Sequence, residues 1–173
     1  MAIKLKPIAP EQLTHNPFKL IGERWTLITA GNKESFNTMT ASWGGFGVLW
    51  NKPVVYVFIR PQRHTLGFVQ RESHFTLSFF GEEHRPALQL LGSRSGRDGD
   101  KVAESGLTPV FTENGNPTFE EATLVMECRK LFDGTFKPED FVIENLRDTV
   151  YPNGDFHHVF VGEIVGCWEE DNE

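Results

Sequence analysis

Val54-Val55-Tyr56-Val57-Phe58-Ile59 is apolar almost without a break, the pattern of a strand covered on both faces rather than one. Around it, strand signals dominate the chain. Trp25-Thr26-Leu27-Ile28-Thr29-Ala30 alternates β-formers before a turn at Gly31-Asn32, and Thr38 to Trp43 reads as the next strand. Phe75-Thr76-Leu77-Ser78-Phe79-Phe80 alternates again, while Ala122 to Phe132 and His157 to Trp168 are long and β-rich. Helical signals between them are short: Thr65 to Arg71 capped by Thr65, Glu82 to Leu91 stopped by Gly92, and Asp100 to Ser105 ended by Gly106. Many strands with a few short helices favour a mainly β, α+β architecture, a β-barrel with peripheral helices. The regular strand–helix alternation of a doubly wound sheet is missing, and so is any repeat or linker. We therefore expect one domain over residues 1–173.

Charge narrows the partners. A net charge of −7 argues against a general nucleic-acid binder, because phosphate backbones demand basic surface. Within that acidic background the arginines cluster at Arg60/Arg63 and Arg94/Arg97, which suits a small anionic ligand. The 15 Phe and 4 Trp predict an aromatic-rich core and an ordered chain. Met1 to Pro7 has charges but no apolar targeting core, and no apolar run reaches membrane-spanning length. Cys128 and Cys167 sit in separate apolar stretches without Cys-x-x-Cys spacing, so buried free thiols in a reducing cytoplasm are expected.

Two segments could grip an anion. Arg60 ends the apolar strand, Pro61 punctuates it, Thr65 can cap the helix that follows, and Arg63 is close enough to fold over a phosphate. A solvated turn with an ordinary cap accounts for the same residues. The second segment, Gly92-Ser93-Arg94-Ser95-Gly96-Arg97-Asp98-Gly99-Asp100-Lys101, offers three glycines, two arginines and a lysine. It is neither a Walker loop nor a calcium loop, and a flexible surface loop is its plain alternative.

Asn37-Thr38-Met39-Thr40-Ala41-Ser42-Trp43-Gly44-Gly45 carries a different inventory. In a strand, Thr38, Thr40 and Ser42 share one face and Met39, Ala41 and Trp43 the other. That is either an edge strand or the wall of a site for a planar ligand, with Gly44-Gly45 permitting close approach. Metal ligation has no support: His157 and His158 point to opposite faces of a strand, and His64, His74 and His84 lack ligand spacing. There is no Gly-x-Ser-x-Gly elbow, and Gly45-Phe46-Gly47 fails as a Rossmann fingerprint.

Four motifs in order, Asn37 to Gly45, Arg60 to Thr65, Ser95 to Lys101 and Glu127-Cys128-Arg129-Lys130-Leu131, resemble those of flavin reductase-like, FMN-binding split-barrel proteins of the flavoredoxin-like branch. The resemblance spans about Asn16 to Trp168. It implies a split β-barrel homodimer holding FMN non-covalently near the subunit interface. On matching positions, Thr38, Met39, Thr40, Ala41, Ser42 and Trp43 would line the isoalloxazine. Arg60, Arg63 and Thr65 would meet the ribityl phosphate, with Lys101 reaching flavin or phosphate and His158 near the ring. His64 stands where the family more often carries Tyr. The implied activity is hydride acceptance at flavin N5 from NADH or NADPH, hence an NAD(P)H:FMN oxidoreductase with a small-molecule or protein redox partner and no membrane or nucleic-acid role. A non-catalytic electron carrier is the alternative, and a ligand- or haem-binding split barrel without turnover a third.

Overall fold

The computed structural model describes residues 3–171. Its main sheet is built from β1 (Lys6–Pro7), β2 (Thr26–Gly31), β3 (Phe36–Ala41), β4 (Gly44–Leu49), β5 (Lys52–Ile59), β6 (His74–Phe79), β9 (Leu124–Thr135) and β10 (His158–Glu169). A separate hairpin pairs β7 (Pro109–Phe111) with β8 (Pro117–Phe119). The main sheet is antiparallel and ordered β3-β2-β6-β9-β10-β5-β4, with β1 beside β10. Its two edges, β3 and β4, follow each other in the chain and are joined by Ser42-Trp43.

Burial shows that the sheet curls on itself. Met39 and Ala41 from one edge share a single apolar cluster with Val55 and Val57 from beside the other edge. Ile28, Phe75, Leu77, Met126 and Phe160 fill the middle, each fully buried large side chain being worth about 1.5–3 kcal/mol. The result is a barrel split between β3 and β4, a mainly β fold with short helices outside. A second cluster covers the outer face of β2 and β9 through Leu27 and Val125, packed by Leu88 and Leu91 of α3 (Arg85–Ser93), Val102 of α4 (Lys101–Ser105) and Phe119. Covered on both sides, all of β2 is buried.

Most strands fall where alternation places them, but four differences have physical causes. The helix α2 (Thr65–Arg71) forms as expected, yet His64 occupies its N-cap, no side chain caps it, and Thr65 is its first residue. Gly44–Leu49 forms β4, which its glycines conceal in sequence. Trp50 and Asn51, both at positive φ (53° and 55°), make the two-residue turn into β5, the geometry that matches strand twist. The helices α1 (Pro17–Gly22) and α5 (Glu144–Val150) lie in stretches where periodicity gave no signal. Cys128 and Cys167 are buried free thiols. No helix among the described residues is long and apolar enough to cross a membrane.

β10 passes β9 and β6 with little clearance at Gly162, where the register with β9 shifts. A Cβ there would meet Phe75 Cζ at 2.6 Å and Cys128 Cβ at 2.9 Å, and both neighbours are core residues with no room to retreat. Gly162→Ala should therefore cost about 1–3 kcal/mol of stability through overpacking. Denaturant unfolding checks this, and an unchanged midpoint would show that the core yields.

Candidate functional site

The end of β5 and the end of α3 converge on a cavity of about 110 Å³ lined by Gln62, Arg63, His64, Thr65, Gly92 to Gly96 and Lys101. The turn after Ile59 is held by Arg63 N donating to Arg60 O at 3.0 Å. From the other side, Asp100 caps α4 by accepting from Ala103 N at 3.0 Å, which carries Lys101 inward. Lys101 is 5% exposed and its Nζ donates to Leu91 O at 2.9 Å and Arg94 O at 3.1 Å. Two of its three donors are thus committed and one is left over. Arg97 Nη1 ties the loop to Gln62 O at 3.1 Å.

The charges here are unbalanced. Arg63 Nη2 is buried without a hydrogen-bond partner, a deficit worth about 1–3 kcal/mol. Among the described residues no carboxylate ion-pairs with Arg63, His64, Arg97 or Lys101. Burial, then the neighbouring Arg63 charge, pulls Lys101 from its ordinary pKa down to about 8. Burial also lowers Arg63, and His64 is lowered by burial and then by Arg97, Lys101 and Arg71. Cations assembled at a cost in a small cavity are completed by an anion. A phosphate fits that deficit in charge and in donors.

The two arginines of this turn, Arg60 and Arg63, part company. Arg60 does not line the cavity. Its Nη1 donates to Asp155 Oδ2 at 2.5 Å and its Nη2 to Val150 O at 3.0 Å, with the guanidinium 5.1 Å from the Tyr151 ring. Hydrogen bonds from Gln62 and Arg60 hold the Asp155 carboxyl below the usual range. Alongside, Tyr151 Oη and His157 Nδ1 are 2.7 Å apart in a buried pair, and burial first, then Arg60, drives His157 down to about 4. The His157 ring lies 5.4 Å from that of Trp43. Trp43, Phe136, Phe141, Ile143, Leu146 and Tyr151 surround an apolar cavity of about 490 Å³.

The segment Thr38 to Trp43 divides. Thr38 is fully buried, its Oγ1 2.8 Å from Thr29 Oγ1 and 3.3 Å from Ile28 O, while Met39 and Ala41 belong to the core. Thr40 Oγ1 donates to Leu88 O at 2.5 Å. Only Ser42 and Trp43 turn outward, so the side chains available to a ring are fewer than the sequence suggests. Thr65 and His64 both reach the small cavity, as does Lys101. His158 faces away from Trp43, its Nδ1 3.7 Å from Asp133 Oδ1 and 3.5 Å from Gln70 Nε2. Its neighbour His157 takes the place beside Trp43. Alternation alone says that the two histidines face oppositely, not which faces the site. Another cavity, about 690 Å³ between α1 and α3, carries no comparable deficit: Arg85 there binds Glu23 O and Arg24 O and stacks on Trp25. No cluster among the described residues has the makings of a metal site.

Residues 18–173 match the model of the flavin reductase like domain. The chain belongs to the flavin reductase-like family. No curated protein matches it. Among solved structures it is similar to the FMN-binding protein from Thermus thermophilus with bound p-hydroxybenzaldehyde, at 27% identity over 85% of this chain and 71% of that one, TM-score 0.68. A flavoredoxin from Methanosarcina acetivorans aligns at 23% identity over 86% and 69%, TM-score 0.66. A split-barrel flavin reductase-like structure from Shewanella frigidimarina aligns at 17% over 94% and 78%, TM-score 0.68. The last two show the fold alone, which is the split barrel described above.

Lys101 gives this family member a pH signature. A bound anion stabilises the charged ammonium, so above about pH 8 binding must bring a proton with it. A phosphate monoester is already dianionic above roughly pH 6, so it does not titrate in this window. Its affinity should fall as pH rises from 7 towards 9.5, approaching about tenfold per unit beyond the Lys101 pKa. Calorimetric titration across that range tests it, and an affinity that stays flat would place the anion away from Lys101.

Proposed function

We propose that the protein is an FMN-binding flavoprotein and acts as an NAD(P)H-dependent flavin reductase. The observation that carries the reading is the buried, partnerless Arg63 Nη2 beside the buried Lys101 ammonium. These two, with His64, Thr65 and Arg97 around the same loop, would hold the ribityl phosphate. Ser42, Trp43 and the unpaired edge of β3 would face the ring, since an edge strand keeps backbone groups available to a ligand. FMN, when bound, supplies two-electron acceptance at N5 from NADH or NADPH. This chain's own part is to bind, orient and shelter the ring. Trp43 and the apolar cavity beside it exclude water, and the Tyr151–His157 pair beside Trp43 is neutral.

The reading includes a homodimer. Val142 is 97% exposed, Ile143 62% and Trp43 54%, around one apolar cavity, and a second copy would bury them. Light scattering that finds a monomer would remove this part of the proposal.

FMN added to purified protein should give a yellow complex that bleaches on addition of NADH or NADPH. A complex that neither nucleotide bleaches supports the carrier reading in place of the reductase, and protein that takes up no FMN defeats both. Arg63→Ala should weaken FMN by about 1.5–3 kcal/mol, the worth of a charge-assisted hydrogen bond, while riboflavin affinity stays unchanged. Equal losses for both flavins would move the phosphate elsewhere.

A further inference from the structure

Lys101 is held in a way that suits a nucleophile as well as a cation. Its Nζ donates to Leu91 O and Arg94 O. A neutral amine has two N–H bonds and one lone pair, so it keeps both hydrogen bonds and still has the lone pair to offer. Lys101 lines the small cavity together with Arg63, His64 and Thr65, and also a second cavity of about 640 Å³. A small solute thus has a route to the nitrogen, although the residue is 5% exposed. Burial and the Arg63 charge bring Lys101 to about 8, so far more of its amine is neutral near pH 7 than in an ordinary exposed lysine. The nearby acids are engaged elsewhere: Glu104 pairs with Arg94 at 3.3 Å and Asp100 caps α4. Lys130 marks the contrast. Its Nζ also donates to two carbonyls, Val69 O at 2.8 Å and Gln70 O at 2.6 Å, but it does not line the cationic cavity.

We propose that Lys101 is an acylation site: its Nζ takes the acyl group of a short-chain acyl phosphate seated in the small cavity, and the resulting amide weakens the site for phosphorylated ligands. The same partnerless Arg63 Nη2 that calls for an anion would hold the phosphate, and in an acyl phosphate the carbonyl carbon is one oxygen away from phosphorus. The lone pair on Nζ attacks that carbon. The N–C bond forms, the C–O bond to phosphate breaks with its electron pair going to phosphate, and the proton lost by nitrogen ends on the released phosphate. Arg63 stabilises the charge that develops on this leaving group. A cavity of about 110 Å³ favours a short acyl chain. The product amide has no charge and a single N–H, so the site loses a cation and either Leu91 O or Arg94 O loses its donor. The weakening of flavin binding rests on the flavin reading above, whereas the acyl transfer does not.

The test is peptide mass spectrometry of the flavin-free full chain treated with acetyl phosphate. A bound dianion favours the ammonium form, so the reaction is run at about pH 8.5, above the Lys101 pKa of about 8. An ordinary exposed lysine amine is only about 1% neutral there, and Lys101 should be acetylated about tenfold faster than the exposed Lys19 and Lys33 and than Lys130. Inorganic phosphate should suppress labelling of Lys101 and leave the other three unchanged. Arg63→Ala should slow it roughly tenfold, and the phosphate competition, which uses wild type, stands even where that variant does not fold. Lys101 labelled no faster than the exposed lysines, or at a rate that phosphate leaves unchanged, would overturn the acylation site. The acetylated chain should bind FMN about tenfold more weakly, the scale of one charged hydrogen bond, and riboflavin as before. Undiminished FMN affinity would overturn the consequence for the site. If the untreated chain takes up no FMN, the flavin reading falls and takes that consequence with it, while the labelling result still decides the acylation site.

Discussion

An antiparallel pairing of β9 against β10, eleven residue pairs with two register shifts, joins the middle of the sheet. β10 also carries β5 on its far side, with His158 opposite Ile59. The place where β10 begins is therefore the place where β5 ends, and the chain leaves β5 directly into Arg60 to Thr65. Sheet register thus fixes how far the Tyr151–His157 pair stands from the small cationic cavity. A one-residue slip would turn His157 away from Trp43 and bring His158 towards it, and pairing with both β5 and β9 makes such a slip costly.

Arg60 and Arg63 lie three residues apart and meet opposite fates. Arg60 is satisfied by Asp155, Val150 O and the Tyr151 ring, so it has little left for a ligand. Arg63 is half-buried beside a second buried cation and lacks a partner. Such a deficit is one that an anion can make good, because no carboxylate among the described residues reaches Arg63. Stored electrostatic cost of this kind marks a binding site more reliably than the count of basic residues around it.

The strands were legible because residue preference is a local property: β2, β5, β6, β9 and β10 all lie where β-formers cluster. β4 was not, since Gly44, Gly45 and Gly47 remove the side chains that carry the signal. The candidate anion-binding loop was legible in its residue types, and Lys101, Thr65 and His64 line one cavity. What the sequence could not supply is competition for each group. Asp155 claims Arg60 from ninety-five residues away, Thr29 claims the Thr38 hydroxyl, and Leu88 O claims that of Thr40. Side-chain type announces what a residue can bind, whereas tertiary packing decides whether the bond is already taken.

That competition gives the site its polarity. At neutral pH His157, with its pKa near 4, is uncharged, and Arg60 is matched by Asp155. The Trp43 end therefore presents apolar surface with Asp140 as its one charged wall residue. Lys101 and Arg63 make the other end cationic. A ligand with a planar uncharged head and a phosphorylated tail can enter in one orientation only, because reversing it would place a dianion against Trp43 and Asp140 and leave Arg63 still unpaired. For such a ligand, orientation would be set by where the fold has spent its hydrogen bonds.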